Sequence, residues 1–131
     1  MTPDFQVAIV GAGFGGLVAA LRLQATNRNN FVILERASAI GGTWRDNTYP
    51  GCACDVASHL YSLKDAPNPE WSHSYSGQQE IWDYMKRVVE EHGLEQHIRL
   101  NSDVVAAKFL EDSGCWQLTM RDGHQLTASV V

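Results

Sequence analysis

Val7, Ile9 and Val10 run as the buried side of a short strand opening at Phe5, after which the apolar period changes. Leu17, Val18, Leu21 and Ala25 recur at helical spacing and predict a helix from Phe14 to Thr26. The polar turn Asn27 to Asn30 ends it, and Phe31 to Glu35 reads as a second strand buried between helices. A second amphipathic run, with Ile81, Met85, Val88 and Val89 on one face, predicts a helix from Gly77 to His92. Ser76 and Gln79 stand at capping-box spacing before it, Gly93 stops it, and Asp83 and Arg87 pair on its wet face. That helix reads as a crossover packed on the sheet with no chemistry of its own, leading into a third parallel strand over His97 to Leu100.

The period then falls to two. Trp116, Leu118 and Met120 alternate with Gln117, Thr119 and Arg121, and Leu126, Ala128 and Val130 alternate with Thr127 and Ser129. Asp112-Ser113-Gly114 and a two-residue turn at Asp122-Gly123 join these runs into an antiparallel meander. The expected fold class is α/β: a Rossmann-like parallel sheet with a three-stranded antiparallel β-meander in place of a crossover helix, incomplete at its C-terminus.

Between the second strand and the second helix lies a long excursion, Ala37 to Ser76, punctuated by Gly41, Gly42, Pro50, Gly51, Pro67 and Pro69. Trp44, Tyr49, Leu60, Tyr61, Leu63 and Trp71 are too many large apolar groups for disorder, so the segment is expected to fold over something. Asp55 reads as the N-cap of a short helix from Val56 to Leu60, a role compatible with a place in a site.

The chain has 131 residues, which suits one domain, and a formal net charge of −5, which provides no basic face for nucleic acid or an anionic membrane. No apolar run approaches the roughly 20 residues of a membrane span, and Met1 to Asp4 lacks a basic leader, so a cytoplasmic location is expected. The three cysteines, Cys52, Cys54 and Cys115, suit reduced thiols, and no metal site is assigned to them.

Candidate chemistry concentrates at the start. Gly11, Gly13 and Gly16 fall at the GxGxxG spacing between strand and helix, with Glu35 closing the next strand about twenty residues on. A pyrophosphate on the helix N-terminus and a ribose diol on Glu35 is the expected arrangement. Arg36 is either a solvated charge or a cover for an adenine face.

Further along, Gly41-Gly42-Thr43-Trp44, Tyr49-Pro50-Gly51 and Asp55 fit the pattern [AG]GxWxxxx[FY]P[GM]xxxD without a departure. On these motifs the chain resembles the N-terminal FAD-binding segment of Baeyer–Villiger monooxygenases, from about Phe5 to Val131. The related N- or S-oxygenating flavin monooxygenases share the glycines but not the YPG-x-x-x-D continuation, and a non-catalytic nucleotide-binding module is the remaining alternative. The resemblance implies FAD as cofactor, NADPH as co-substrate of a longer parent, and a small organic substrate, a ketone, turned into an ester or lactone. It places Gly11, Gly13, Phe14 and Gly16 along the pyrophosphate, Glu35 on the ribose and Arg36 near the adenine. Thr43 and Trp44 would lie beside the cofactor, with packing as the other role for Trp44. Tyr61 would contact the flavin side, and Val104 would offer its backbone to the adenine. Asp55, near the flavin ring, would be the catalytic acid that orients an arginine from elsewhere in the enzyme. No second GxGxxG and no FxGxxxHxxxW fingerprint follow, so residues 1–131 read as the N-terminal part of an FAD-binding domain without its NADPH-binding domain, inactive alone.

Overall fold

The computed structural model describes all 131 residues. Strand β1 (Phe5–Val10), helix α1 (Phe14–Ala25) and strand β2 (Phe31–Leu34) form the opening unit, β1 and β2 running parallel from Val7 opposite Phe31 to Val10 opposite Leu34. Next come α2 (Thr43–Asp46), a 3-10 turn at Ser58–Tyr61, α3 (Gln78–Glu91) and a second 3-10 turn at Leu94–His97. Strands β3 (Ile98–Arg99), β4 (Val104–Leu110), β5 (Cys115–Met120) and β6 (Gln125–Val130) complete the chain.

All strands join one six-stranded sheet, ordered β3-β2-β1-β6-β5-β4. Its parallel half is β3-β2-β1 and its antiparallel half is the meander, and β6 belongs to both. Ala128 lies opposite Phe5 on one side and Trp116 on the other. Outside the ladder, the Thr127 amide donates to Asp4 Oδ2 at 2.8 Å and the Asp4 amide donates to Thr127 Oγ1 at 3.1 Å. The bonds from Thr127 hold the Asp4 carboxyl below its usual range.

Two apolar layers cover the sheet. On one face Leu17 and Leu21 of α1 and Ile81, Met85 and Val88 of α3 pack on Phe31 and Ile33. Full burial of each such side chain contributes about 1.5–3 kcal/mol relative to exposure, so this layer outweighs any single polar contact in the fold. On the other face the meander's Leu118, Met120, Leu126 and Ala128 close over Ala8, Val32 and Leu34. β2 is buried at every position because it is the strand covered from both sides.

The excursion does fold over something. Its middle zips to its C-terminal end through Ala53 opposite Gly77, Cys54 N–H to Ser76 O at 2.9 Å and Ser58 N–H to Ser74 O at 2.7 Å. Its aromatic groups pack on the helices: Tyr61 meets Phe14 edge-on with centroids 5.2 Å apart, and Trp71 meets Tyr84 at 5.2 Å.

Several local expectations change. No capping box forms, because Gly77 is the N-cap of α3 and the buried Ser76 hydroxyl is spent on the Ser58 hydroxyl, 2.7 Å away. Asp83 pairs with Lys86 at 2.9 Å rather than with Arg87, which lies 4.0 Å from Glu91. Asp55 caps nothing: the short turn starts at Ser58 after Ala57, with no side-chain cap. The last hairpin has a longer loop, in which Gly123, at φ +91°, donates to Met120 O and the Met120 amide takes His124 O at 2.8 Å, the geometry of a turn followed by a glycine bulge. No helix is long and apolar enough to cross a membrane.

Candidate functional site

The first glycine turn is built by its own sequence. β1 delivers Gly11, whose N–H continues the ladder to Leu34 O at 2.8 Å and whose φ of +100° suits glycine alone among the common residues. Gly16 seats α1 on that turn so closely that a Cβ there would stand 2.0 Å from Gly11 O. The first helical bond of α1 is Leu17 N–H to Gly13 O at 3.1 Å, so the amides of Phe14, Gly15 and Gly16 have no helical carbonyl to bond. Unbonded amides at the positive end of a helix dipole form a seat for an anion.

Glu35, just past β2, is only 4% exposed. Its Oε2 accepts the Ala12 N–H at 2.8 Å and its Oε1 accepts the Ala37 N–H at 3.0 Å, with Arg45 Nη1 3.5 Å from Oε1. The carboxylate thus ties the glycine turn to the end of β2. A carboxylate has about four acceptor positions, which leaves Oε2 free to take a further donor.

The second glycine turn needs help from afar. Gly41 and Gly42 adopt φ of +131° and +53° and start α2. Gly41 N–H donates to Ala12 O at 3.0 Å, and a Cβ on Gly42 would lie 3.3 Å from the Gly13 Cα, so the two turns touch backbone to backbone. From behind, Trp82 Nε1 donates to Ile40 O at 2.8 Å and Gln78 Nε2 donates to Trp44 O.

The two turns and the end of β2 enclose a cleft of about 450 Å³. Of the residues singled out in the sequence, Gly11, Gly13, Glu35, Arg36, Thr43 and Val104 line it together. Gly16 lies beneath the turn. Trp44 is buried behind it and donates its indole N–H to the Tyr61 hydroxyl at 2.9 Å. Phe14 and Tyr61 line a separate hollow of about 210 Å³ beside Leu60, Ser62 and Leu63. Asp55 is exposed on the excursion, outside both.

Sequence reasoning missed Arg45, Asp46 and Asp103, all of which line the cleft. Arg45 is mostly covered, donates to Ala39 O at 2.6 Å and bonds Asp46 Oδ1 at 2.9 Å. That bond to Asp46 raises the guanidinium above its ordinary value and lowers the Asp46 carboxyl below its own. Asp103 is held by Arg121 at 2.7 Å. The one sequence signal for Arg45 was its place directly after Trp44, in a part of the motif that specifies no residue.

The sequence and the fold both have relatives among known proteins. The family described as NAD(P)-binding Rossmann-like domain matches residues 9–88. A Baeyer–Villiger monooxygenase of Streptomyces coelicolor is 50% identical over 126 residues, 96% of this chain and 24% of that protein. An FAD-binding monooxygenase of Aspergillus niger is 44% identical over 86% of this chain and 19% of its own length. The crystal structure of cyclohexanone monooxygenase from Rhodococcus sp. Phi1 bound to NADP+ superposes with a TM-score of 0.88 at 33% identity, over 98% of this chain and 25% of that one. The chain therefore spans about a quarter of the length of the relatives it matches. It belongs to the NAD(P)-binding Rossmann-like domain family, and over nearly its whole length it resembles a segment of Baeyer–Villiger monooxygenases.

Proposed function

We propose that this chain is the FAD-binding part of an NADPH- and O2-dependent flavin monooxygenase that converts ketones to esters or lactones. The observation that carries the reading is the cleft, in which two glycine turns touch and a buried carboxylate stands between them. FAD presents an anionic pyrophosphate and a ribose diol. The cleft answers with unbonded amides from Phe14 to Gly16 and with an open acceptor position on Glu35. A side chain larger than hydrogen at Gly42 would fill the space that brings the two turns together, and one at Gly16 would push α1 off the first turn. The residues fit the cofactor.

Bound FAD would supply the redox chemistry, taking a hydride from NADPH and activating O2. The chain's own residues bind, orient and exclude water. Gly11, Gly13, Phe14 and Gly16 hold the pyrophosphate, Glu35 orients the ribose, Arg36 covers the adenine and the Val104 backbone meets its edge. Thr43 closes the side of the cleft, Trp44 packs behind it, and Tyr61, bonded to Trp44 and lining the separate hollow, serves the flavin side. Asp55, exposed and available, orients a cation contributed by the rest of a longer protein, since a cation facing a buried reaction centre is stable only with an anionic partner. Residues 1–131 are then the N-terminal part of the FAD-binding domain of a cytoplasmic enzyme, the NADPH-binding domain lying elsewhere.

Titration with FAD and with NADP+ tests the cofactor. Glu35 repels a 2′-phosphate, so FAD is expected to bind more tightly, and an equal or tighter hold on NADP+ overturns the assignment. For Asp55, Asp55→Ala in the full-length protein should leave flavin content unchanged while ketone oxygenation per bound flavin falls strongly. Undiminished ester formation would remove Asp55 from the reaction.

A further inference from the structure

We propose that Gln78 and Trp82 of α3 are positioning residues for the cofactor cleft: they hold the second glycine turn against the first and so set the cleft wall at Gly42 and Thr43. The inference deepens the FAD reading and rests on it. Neither side chain lines the cleft.

The second turn has short-range bonds of its own, among them Trp44 N–H to Gly41 O at 3.1 Å, Asp46 N–H to Gly42 O at 3.0 Å and Arg45 Nη1 to Ala39 O at 2.6 Å, but none of them fixes it against the sheet or the first turn. Two consecutive glycines at positive φ leave the backbone free to move, and α2, only 4 residues long, has no side-chain cap. Its two flanking carbonyls, Ile40 O and Trp44 O, are the handles. Trp82 Nε1 takes the first at 2.8 Å and Gln78 Nε2 takes the second. Gln78 and Trp82 are one helical turn apart on the same face of α3, so a single rigid element grips the turn at both ends.

Packing agrees with the bonding. A Cβ on Gly41 would meet Trp82 Nε1 at 2.7 Å, which shows how closely the indole lies against the turn. Lys86 Nζ stands 4.2 Å from the centroid of the same ring, one further helical turn along. On the opposite side of the turn, Gly41 bonds Ala12 O at 3.0 Å and Gly42 rests on Gly13. The second turn is therefore clamped between α3 and the first turn, and losing either α3 donor frees one end of it. The amide donors matter in this arrangement, beyond the volume that the side chains fill.

The test uses the full-length protein, stripped of flavin and titrated with FAD. Trp82→Phe keeps an aromatic ring under Lys86 but removes the N–H, and Gln78→Met keeps length and flexibility but removes both donors. Each is expected to raise the FAD dissociation constant roughly three- to tenfold, the equivalent of one ordinary hydrogen bond. Gln78→Lys, which restores a donor to Trp44 O, should recover most of the loss, as a purely space-filling residue would not. Leu118→Ala, in the apolar layer on the other face of the sheet, is the control: it lowers the urea midpoint and leaves the FAD constant unchanged. If the unaltered protein binds FAD and Trp82→Phe and Gln78→Met bind it equally well, the positioning role is overturned while the FAD reading stands. If the unaltered protein fails to bind FAD, both fall together.

Discussion

The two glycine turns do similar work and are made in opposite ways. Gly11 to Gly16 is a local construction: the strand before it, the helix after it and the close seat of Gly16 under Gly11 O all lie within one short stretch of chain. Gly41 to Thr43 is a distant one, whose shape depends on Trp82 and Gln78, about forty residues away, and on backbone contact with Ala12 and Gly13. A turn that contains its own constraints fails when its own residues change. A borrowed turn fails from outside as well, and can be repaired from outside.

The sharpest way to break this contrast is Gly16→Ala. Its Cβ meets backbone 2.0 Å away, and no flexible side chain stands there to yield. The expected loss is about 3 kcal/mol or more in urea unfolding, together with loss of FAD binding, and no change in α3 should relieve it.

Gly41→Ala should be milder because its clash is with the Trp82 side chain. Strain at φ +131° and the contact together predict about 1–3 kcal/mol of destabilisation. Adding Trp82→Ala to it should cost less than the sum of the two single changes. Strict additivity would show that the second turn does not lean on α3.

Glu35→Gln probes the residue between the turns. An amide still accepts one N–H but turns donors toward the other, and the lost charge-assisted bonds, about 1.5–3 kcal/mol, should weaken FAD roughly ten- to a hundredfold. FAD affinity within a factor of two of the unaltered protein would take Glu35 out of the site.

The smallest effect concerns how the excursion is fastened to α3. Glu80 Oε1 accepts the Ser72 amide at 2.9 Å and Oε2 accepts the Ser72 hydroxyl, and these bonds hold the Glu80 carboxyl below its usual 4.5. Because the folded value is depressed, the contribution is complete above about pH 4.5 and is lost as the pH falls through the lower folded value. Glu80→Gln should lower stability modestly above about pH 4.5 and hardly at all at lower pH, which flattens that acid limb of the stability profile. An unaltered acid limb would mean that Glu80 does not anchor the excursion.

The same contrast explains what could be read from sequence. Repeating periods and glycine spacing are local signals, so β1, α1, β2, α3 and the meander were legible, as were Gly11, Gly13 and Glu35. The matched motif carried Thr43, and Val104 does open β4. What escaped depends on contacts between remote segments. Nothing near Trp82 says that its indole will find Ile40 O, and Ser76 carries a good capping signature yet spends its hydroxyl on Ser58. Arg45 looks like a surface charge until the fold brings Glu35 and Ala39 O to it. Asp55 looks like a cap because Ser58, the start of the real turn, is only three residues on.

The seam at β6 has a kinetic consequence. β1 with β2, and β4 with β5 and β6, each pair through near neighbours in the chain, whereas Asp4 and Thr127 are 123 positions apart. Closing a loop that long is entropically expensive and is rewarded only once both halves exist, so the halves should form first and join late. Bonds made after the rate-limiting step slow unfolding without hastening folding. Asp4→Ala is thus expected to steepen loss of the native state in denaturant jumps while refolding proceeds at its original rate, which makes the Asp4–Thr127 clasp a brake on opening and not a guide to assembly.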